Sequence, residues 1–225
     1  MGFSLFGPYH FGWLVVSFLT VFFVSRYFKS LDGNRRIILQ QIIAWFILLF
    51  EIYKDMYLIS RNEFSIEYLP LELCSFAIFA IFYHAYTNSL VVGEMLYNLF
   101  LPGTIAALLF CNWTFRSVYD FMSIFSFVFH IAVLVYCVMV LYAEIVKPTI
   151  KRVWGSLLFL AMMVPIIYPL NKIWETNFMF LNVPSPGSPL VLLENMLGNP
   201  GYILGMMGLI VILWIVLYLP WKKRH

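Results

Sequence analysis

The chain has 225 residues, of which 63% are hydrophobic and 11% charged, and its mean hydropathy is +0.88. Soluble domains carry about 25% charged residues, so this composition excludes a soluble globular protein and points to one integral membrane domain over residues 1–225. The net charge of +3 comes in short basic clusters that fit membrane topology signals better than a nucleic-acid surface.

A helix needs about 20 mostly apolar residues to cross a bilayer. Seven runs qualify: 9–28, 37–59, 68–86, 90–110, 118–146, 152–171 and 199–220. The expected fold is therefore all-α, a polytopic bundle of seven transmembrane helices. Arg26, Lys29, Arg35 and Arg36 lie between the first two runs, Lys147, Lys151 and Arg152 between the fifth and sixth, and Lys222, Lys223 and Arg224 close the chain. Lys54, Arg61, Arg116 and Lys172 fall on the other side. The basic excess marks the cytoplasmic side, so the N-terminus is expected outside and the C-terminus inside. The first 30 residues do not read as a cleaved signal, because the basic residues follow the first apolar run. The longest connection, 172–198, contains NVPSPGSP and reads as a constrained, turn-rich loop.

Ionisable and polar groups inside such runs are costly and are candidate functional groups. His10 opens the first run, in FGPYH. Glu51 lies within the second, with Lys54 and Asp55 three and four residues on, sharing its face. A structural Glu51–Lys54 pair is the plain alternative. EYLPLELCS (67–75) puts Glu72 and Cys74 at the start of the third run, with Pro70 in its expected first turn. A cysteine in an apolar run is usually inert packing, and a nucleophilic thiol is the sharper reading. Glu94, Asn98 and Pro102 share a face of the fourth run. Ser123, Ser126, His130 and Cys137 form a polar stripe on the fifth. His130 fits either an interhelical hydrogen bond or a general base, and spacing leaves both open. Pro165 and Pro169 bend the sixth run, and Asn171, Lys172 and Glu194 map to the outer rim. Together these residues predict a polar cavity opening toward the outer half of the membrane.

Cys74, Cys111 and Cys137 show no CxxC spacing, and no metal motif or cofactor signature is present. No G-x-S-x-G elbow occurs either.

LPLELCS (69–75), FVFHIAVL (127–134), NFMFLNVPSPGS (177–188), GNPGYILG (198–205) and FGPYH at the N-terminus resemble the YwaF-like bacterial integral membrane family. The chain is more distantly similar to the eukaryotic transmembrane protein 164 family. The resemblance covers most of the chain, in order. It implies an acyltransferase of a bacterial plasma membrane that moves a fatty acyl chain between phospholipids through a cysteine thioester, with Cys74 as nucleophile and His130 as its base. His10, Glu51, Glu72, Asn98, Asn177 and Glu194 become substrate-binding or orienting candidates. Many bacterial members carry histidine where this chain has Glu72, which leaves His130, on another helix, as the expected base. The rival readings are a lipid or small-molecule transporter and a receptor or assembly subunit. Flux that survives loss of Cys74, or a co-purifying partner, distinguishes them.

Overall fold

A computed structural model describes residues 2–221. Lys222, Lys223 and Arg224, which contribute to the charge bias, lie outside the described residues. The described chain forms α1 (Pro8–Ser30), α2 (Gly33–Ser60), α3 (Leu73–Thr87), α4 (Leu90–Leu109), α5 (Phe121–Tyr142), α6 (Trp154–Trp174), α7 (Leu190–Leu197) and α8 (Tyr202–Tyr218), with single 3-10 turns in the α2–α3, α5–α6 and α6–α7 connections. There is no strand among the described residues. Six of the helices, α1, α2, α4, α5, α6 and α8, are long and apolar enough to cross a membrane.

The helix ends follow local chemistry. Pro8 sits in the first turn of α1, where its missing N–H costs nothing. The Asp32 carboxylate caps α2 by accepting from the Arg35 amide. Asp120 caps α5 through the Met122 amide in the same way. Asn88 closes α3 in the left-handed conformation, at φ 48°.

The third run departs from expectation. Its helix begins only at Leu73 and has 15 residues, about 22 Å of rise, against roughly 30 Å of hydrocarbon. Pro70 keeps the helix from reaching back past it. It disfavours the α conformation in the residue before it, and Leu69 is held at φ −59°, ψ 144°. Glu72 remains extended, at ψ 152°, as the residue before the helix. Pro70 thus precedes α3 instead of sitting in its first turn. The long connection also differs, since it folds its second half into the short helix α7.

α5 is the hub and packs against α1, α2, α3 and α4. Over half of its apolar window is buried (56%), compared with 17% for α1. The outer helices turn large apolar side chains such as Phe18, Phe23, Leu49 and Ile212 outward, as a lipid-facing surface requires. Close approach at one end depends on two glycines. A Cβ on Gly93 would stand 2.8 Å from Val146, and one on Gly155 would stand 2.5 Å from Val91.

The two ends of the bundle differ in charge. At the basic end an Arg36 guanidinium nitrogen donates to the Lys29 carbonyl, Lys29 lies over the Tyr142 ring, and Arg152 pairs with Glu94. At the opposite end Tyr9 donates to the Val118 carbonyl, Arg116 donates to the Tyr68 hydroxyl, and the Phe3 amide donates to the Thr114 carbonyl.

Candidate active site

Because α3 starts late, its first turn lies inside the bundle. Cys74 is the second residue of that turn and is half-buried. The amides of Ser75 and Phe76 bond back to the Glu72 carbonyl. The amides of Leu73 and Cys74 have no acceptor among the described residues, which is the usual state of the first N–H groups of a helix. They and the positive end of the helix dipole therefore point where negative charge is stabilised.

α4 supplies the facing wall. A Cβ on Gly103 would lie 3.3 Å from Leu73 Cδ2, so the two helices touch at this level. Thr104 is fully buried, and its hydroxyl adjoins the Cys74 thiol within hydrogen-bonding reach and meets no other partner among the described residues. A hydroxyl that meets only a thiol keeps capacity for a further hydrogen bond. Phe76, Phe100 and Phe159 add an aromatic wall, with Phe159 edge-on to both others.

His130 belongs to the same stratum of the bundle. The His10 ring bonds to the Leu108 carbonyl of α4 and lies 6.1 Å from the Phe127 ring of α5. Leu108 and Phe127 are therefore level. Thr104 and His130 each lie about one turn further toward the basic end. His130 Nδ1 is 2.6 Å from the Ser126 carbonyl, which can only accept. The proton is thus on Nδ1, and in the neutral ring Nε2 presents its lone pair. Trp113 stacks on this imidazole at 5.3 Å and 17°. No hydrogen bond joins His130 to Cys74.

The other sequence candidates divide clearly. His10 is fully buried with both ring nitrogens engaged. It accepts at Nδ1 from the Phe6 amide (2.8 Å) and donates from Nε2 to Leu108 (2.8 Å). Glu51 forms the buried pair with Lys54, which also faces Asp55 at 3.1 Å and donates to the Tyr68 carbonyl. Glu72 accepts the Met179 amide at 2.8 Å and ties the start of α3 to the turn around Phe178–Phe180. Asn177 braces that loop by accepting the Asn182 and Val183 amides. Glu194 accepts from Asn199 at 3.3 Å. These five hold the scaffold beside the Cys74 stratum. Asn98 belongs to a different cluster, at the basic end.

That cluster is built on a single π turn, Leu96–Phe100, within α4. Pro102 has no N–H to offer the Asn98 carbonyl four residues back, and Trp214 Nε1 of α8 donates to it instead, at 2.9 Å. The Asn98 side chain donates to Tyr218 and accepts from Ser156. Tyr218 in turn donates to Glu94 at 2.6 Å. Glu94 also accepts the Thr149 amide and pairs with Arg152 at 3.2 Å.

Thr104 and Trp113 escaped the sequence reading. The hydroxyl in PGT (102–104) and the tryptophan in CNWTF (111–115) are visible, but nothing local distinguishes them from packing.

The bundle and its buried thiol define a multi-pass helical membrane protein with a polar site set within its apolar interior. The model of the TMEM164 family matches residues 5–218, and the chain belongs to that family. No curated protein and no solved structure matches it.

Proposed function

We propose that this protein is a membrane-embedded acyltransferase that moves a fatty acyl chain between phospholipids or other glycerolipids through a thioester on Cys74. The observation that carries the reading is the setting of Cys74. The thiol lies in the first turn of a helix, beside two unpaired amides and the buried Thr104 hydroxyl, about level with a histidine whose Nε2 is unprotonated.

Each group then has a role. His130 Nε2 takes the thiol proton as Sγ attacks the ester carbonyl of a donor lipid. The Leu73 and Cys74 amides and the Thr104 hydroxyl stabilise the oxyanion. The C–O bond breaks, and His130 returns the proton to the departing lysolipid oxygen. An acceptor hydroxyl, its proton taken by His130, then attacks the thioester. The new ester forms and the proton returns to the thiolate. The aromatic wall of Phe76, Phe100 and Phe159 suits an acyl chain.

The reading includes seven crossings, with α3 and the extended segment before it completing the third. The basic end then faces the cytoplasm and the N-terminus the outside. The resemblance of LPLELCS and FVFHIAVL to bacterial sequences supports a bacterial plasma membrane.

The test is intact mass after incubation with phospholipid. A hydroxylamine-sensitive acyl adduct on the native chain, absent from Cys74→Ala, is the expected result. A broad lipid extract that yields neither adduct nor lysolipid overturns the reading. Flux that persists in Cys74→Ala favours transport.

A further inference from the structure

A cleft of about 1030 Å³ opens at the basic end, between the α5–α6 connection and the last turns of α8. It is remote from Cys74. Its walls are mainly apolar, with Ile150 on one side and Ile215 and Leu219 on the other, while Lys147, Lys151 and Thr149 line the connection. Its floor is rigid. The buried Glu94 carboxylate accepts from Tyr218 and from the Thr149 amide and pairs with Arg152, which also donates to the Lys147 carbonyl. The segment 147–152 is thereby wrapped into a fixed loop. The charge of Arg152 is matched by Glu94, whereas the exposed ammonium groups of Lys147 and Lys151 have no ion pair or hydrogen bond among the described residues. Glu144 stands on the rim and pairs with neither lysine.

Depth identifies the occupant. The cleft lies where α6 begins and α8 ends, beside the exposed rings of Tyr142 and Trp154. Aromatic residues at helix ends mark the headgroup level of a bilayer. A site there, with two unmatched cations on one wall and an apolar channel along α8, fits a molecule with an anionic head and hydrocarbon tails.

We propose that this cleft binds an anionic glycerophospholipid. Its phosphate sits between Lys147 and Lys151, its glycerol lies against Thr149, and an acyl chain runs along Ile215 and Leu219. This is a binding site separate from the Cys74 stratum and does not depend on acyl transfer.

The test is a lipid titration of the purified full chain in detergent, read by native mass spectrometry. Phosphatidylglycerol is expected to bind at least tenfold more tightly than phosphatidylcholine. Each surface lysine contributes about 1 kcal/mol to an anionic lipid, so K147Q/K151Q is expected to weaken phosphatidylglycerol roughly ten- to thirtyfold. The control R26Q/R35Q removes two cations from the same end and is expected to change nothing. Ile215→Trp, which fills the channel without altering charge, is expected to weaken binding as well. Melting temperatures of the four proteins report folding. Equal losses in both charge variants reduce the effect to general attraction and overturn the site. Unchanged binding in K147Q/K151Q or in Ile215→Trp overturns it too. Millimolar glycerol 3-phosphate is expected not to compete. Full displacement by it makes the ligand a small phosphate ester and overturns the lipid assignment.

Discussion

Two buried polar clusters, one near each end of α4, treat hydrogen bonding in opposite ways. At the basic end Glu94, Asn98, Ser156, Trp214 and Tyr218 each have a partner, and the network joins α4, α6 and α8. Nearby, His84 and Tyr136 share a hydrogen bond at 2.9 Å, and Gln40 links Tyr136 to Asn88. In the Cys74 stratum the Leu73 and Cys74 amides and His130 Nε2 are left open, and the Thr104 hydroxyl has only the thiol beside it. Buried polar groups are normally satisfied, because each unpaired one costs the desolvation of that group. A closed network therefore reads as structure, and an open cluster reads as a place prepared for a ligand. The contrast makes the same kind of substitution a stability experiment at one end and an activity experiment at the other.

The sharpest break is Cys74→Ala. It is expected to abolish acyl transfer, at least about a thousandfold, with little change in melting temperature. Lysolipid release in proteoliposomes measures it, and residual turnover near the native level would remove Cys74 from the mechanism. Glu94→Ala is expected to do the reverse. It leaves Arg152 without its counter-ion and the Tyr218 hydroxyl and Thr149 amide without their acceptor, and costs about 3 kcal/mol of stability, read as a fall in thermal midpoint in detergent. His130→Gln is expected to lower the rate about a hundredfold without a comparable loss of stability, and single-turnover thioester formation isolates the step.

Two smaller substitutions sharpen the contrast within α4. Thr104→Val removes a hydroxyl that meets only the weakly bonding thiol while keeping the shape, so stability is expected to change little. The rate is expected to fall about tenfold, as for the loss of an oxyanion donor. A falling midpoint would make Thr104 an ordinary structural residue. Trp214→Phe keeps the ring but removes the donor to the Asn98 carbonyl and is expected to cost about 1 kcal/mol with the rate nearly unchanged.

The comparison also separates what is local from what is not. Apolar runs and basic clusters announced an all-helical membrane protein, because in lipid a backbone must satisfy its own N–H and C=O groups and a helix does so within one run. Cys74 and His130 could be singled out as unusual in such runs, whereas Pro70 read as a first-turn proline and the late start of α3 at Leu73 came only from the structure. The tertiary structure alone decided which polar groups are closed and which open. Glu94 meets Arg152 58 residues on, Glu72 meets Met179 107 residues on, and Trp214 reaches the carbonyl that Pro102 leaves free. Thr104 and Trp113 gain their interest only from what packs beside them. The physical reason is that hydrophobic length is a property of one segment, whereas satisfying a buried polar group requires a partner from another helix at the right depth and rotation.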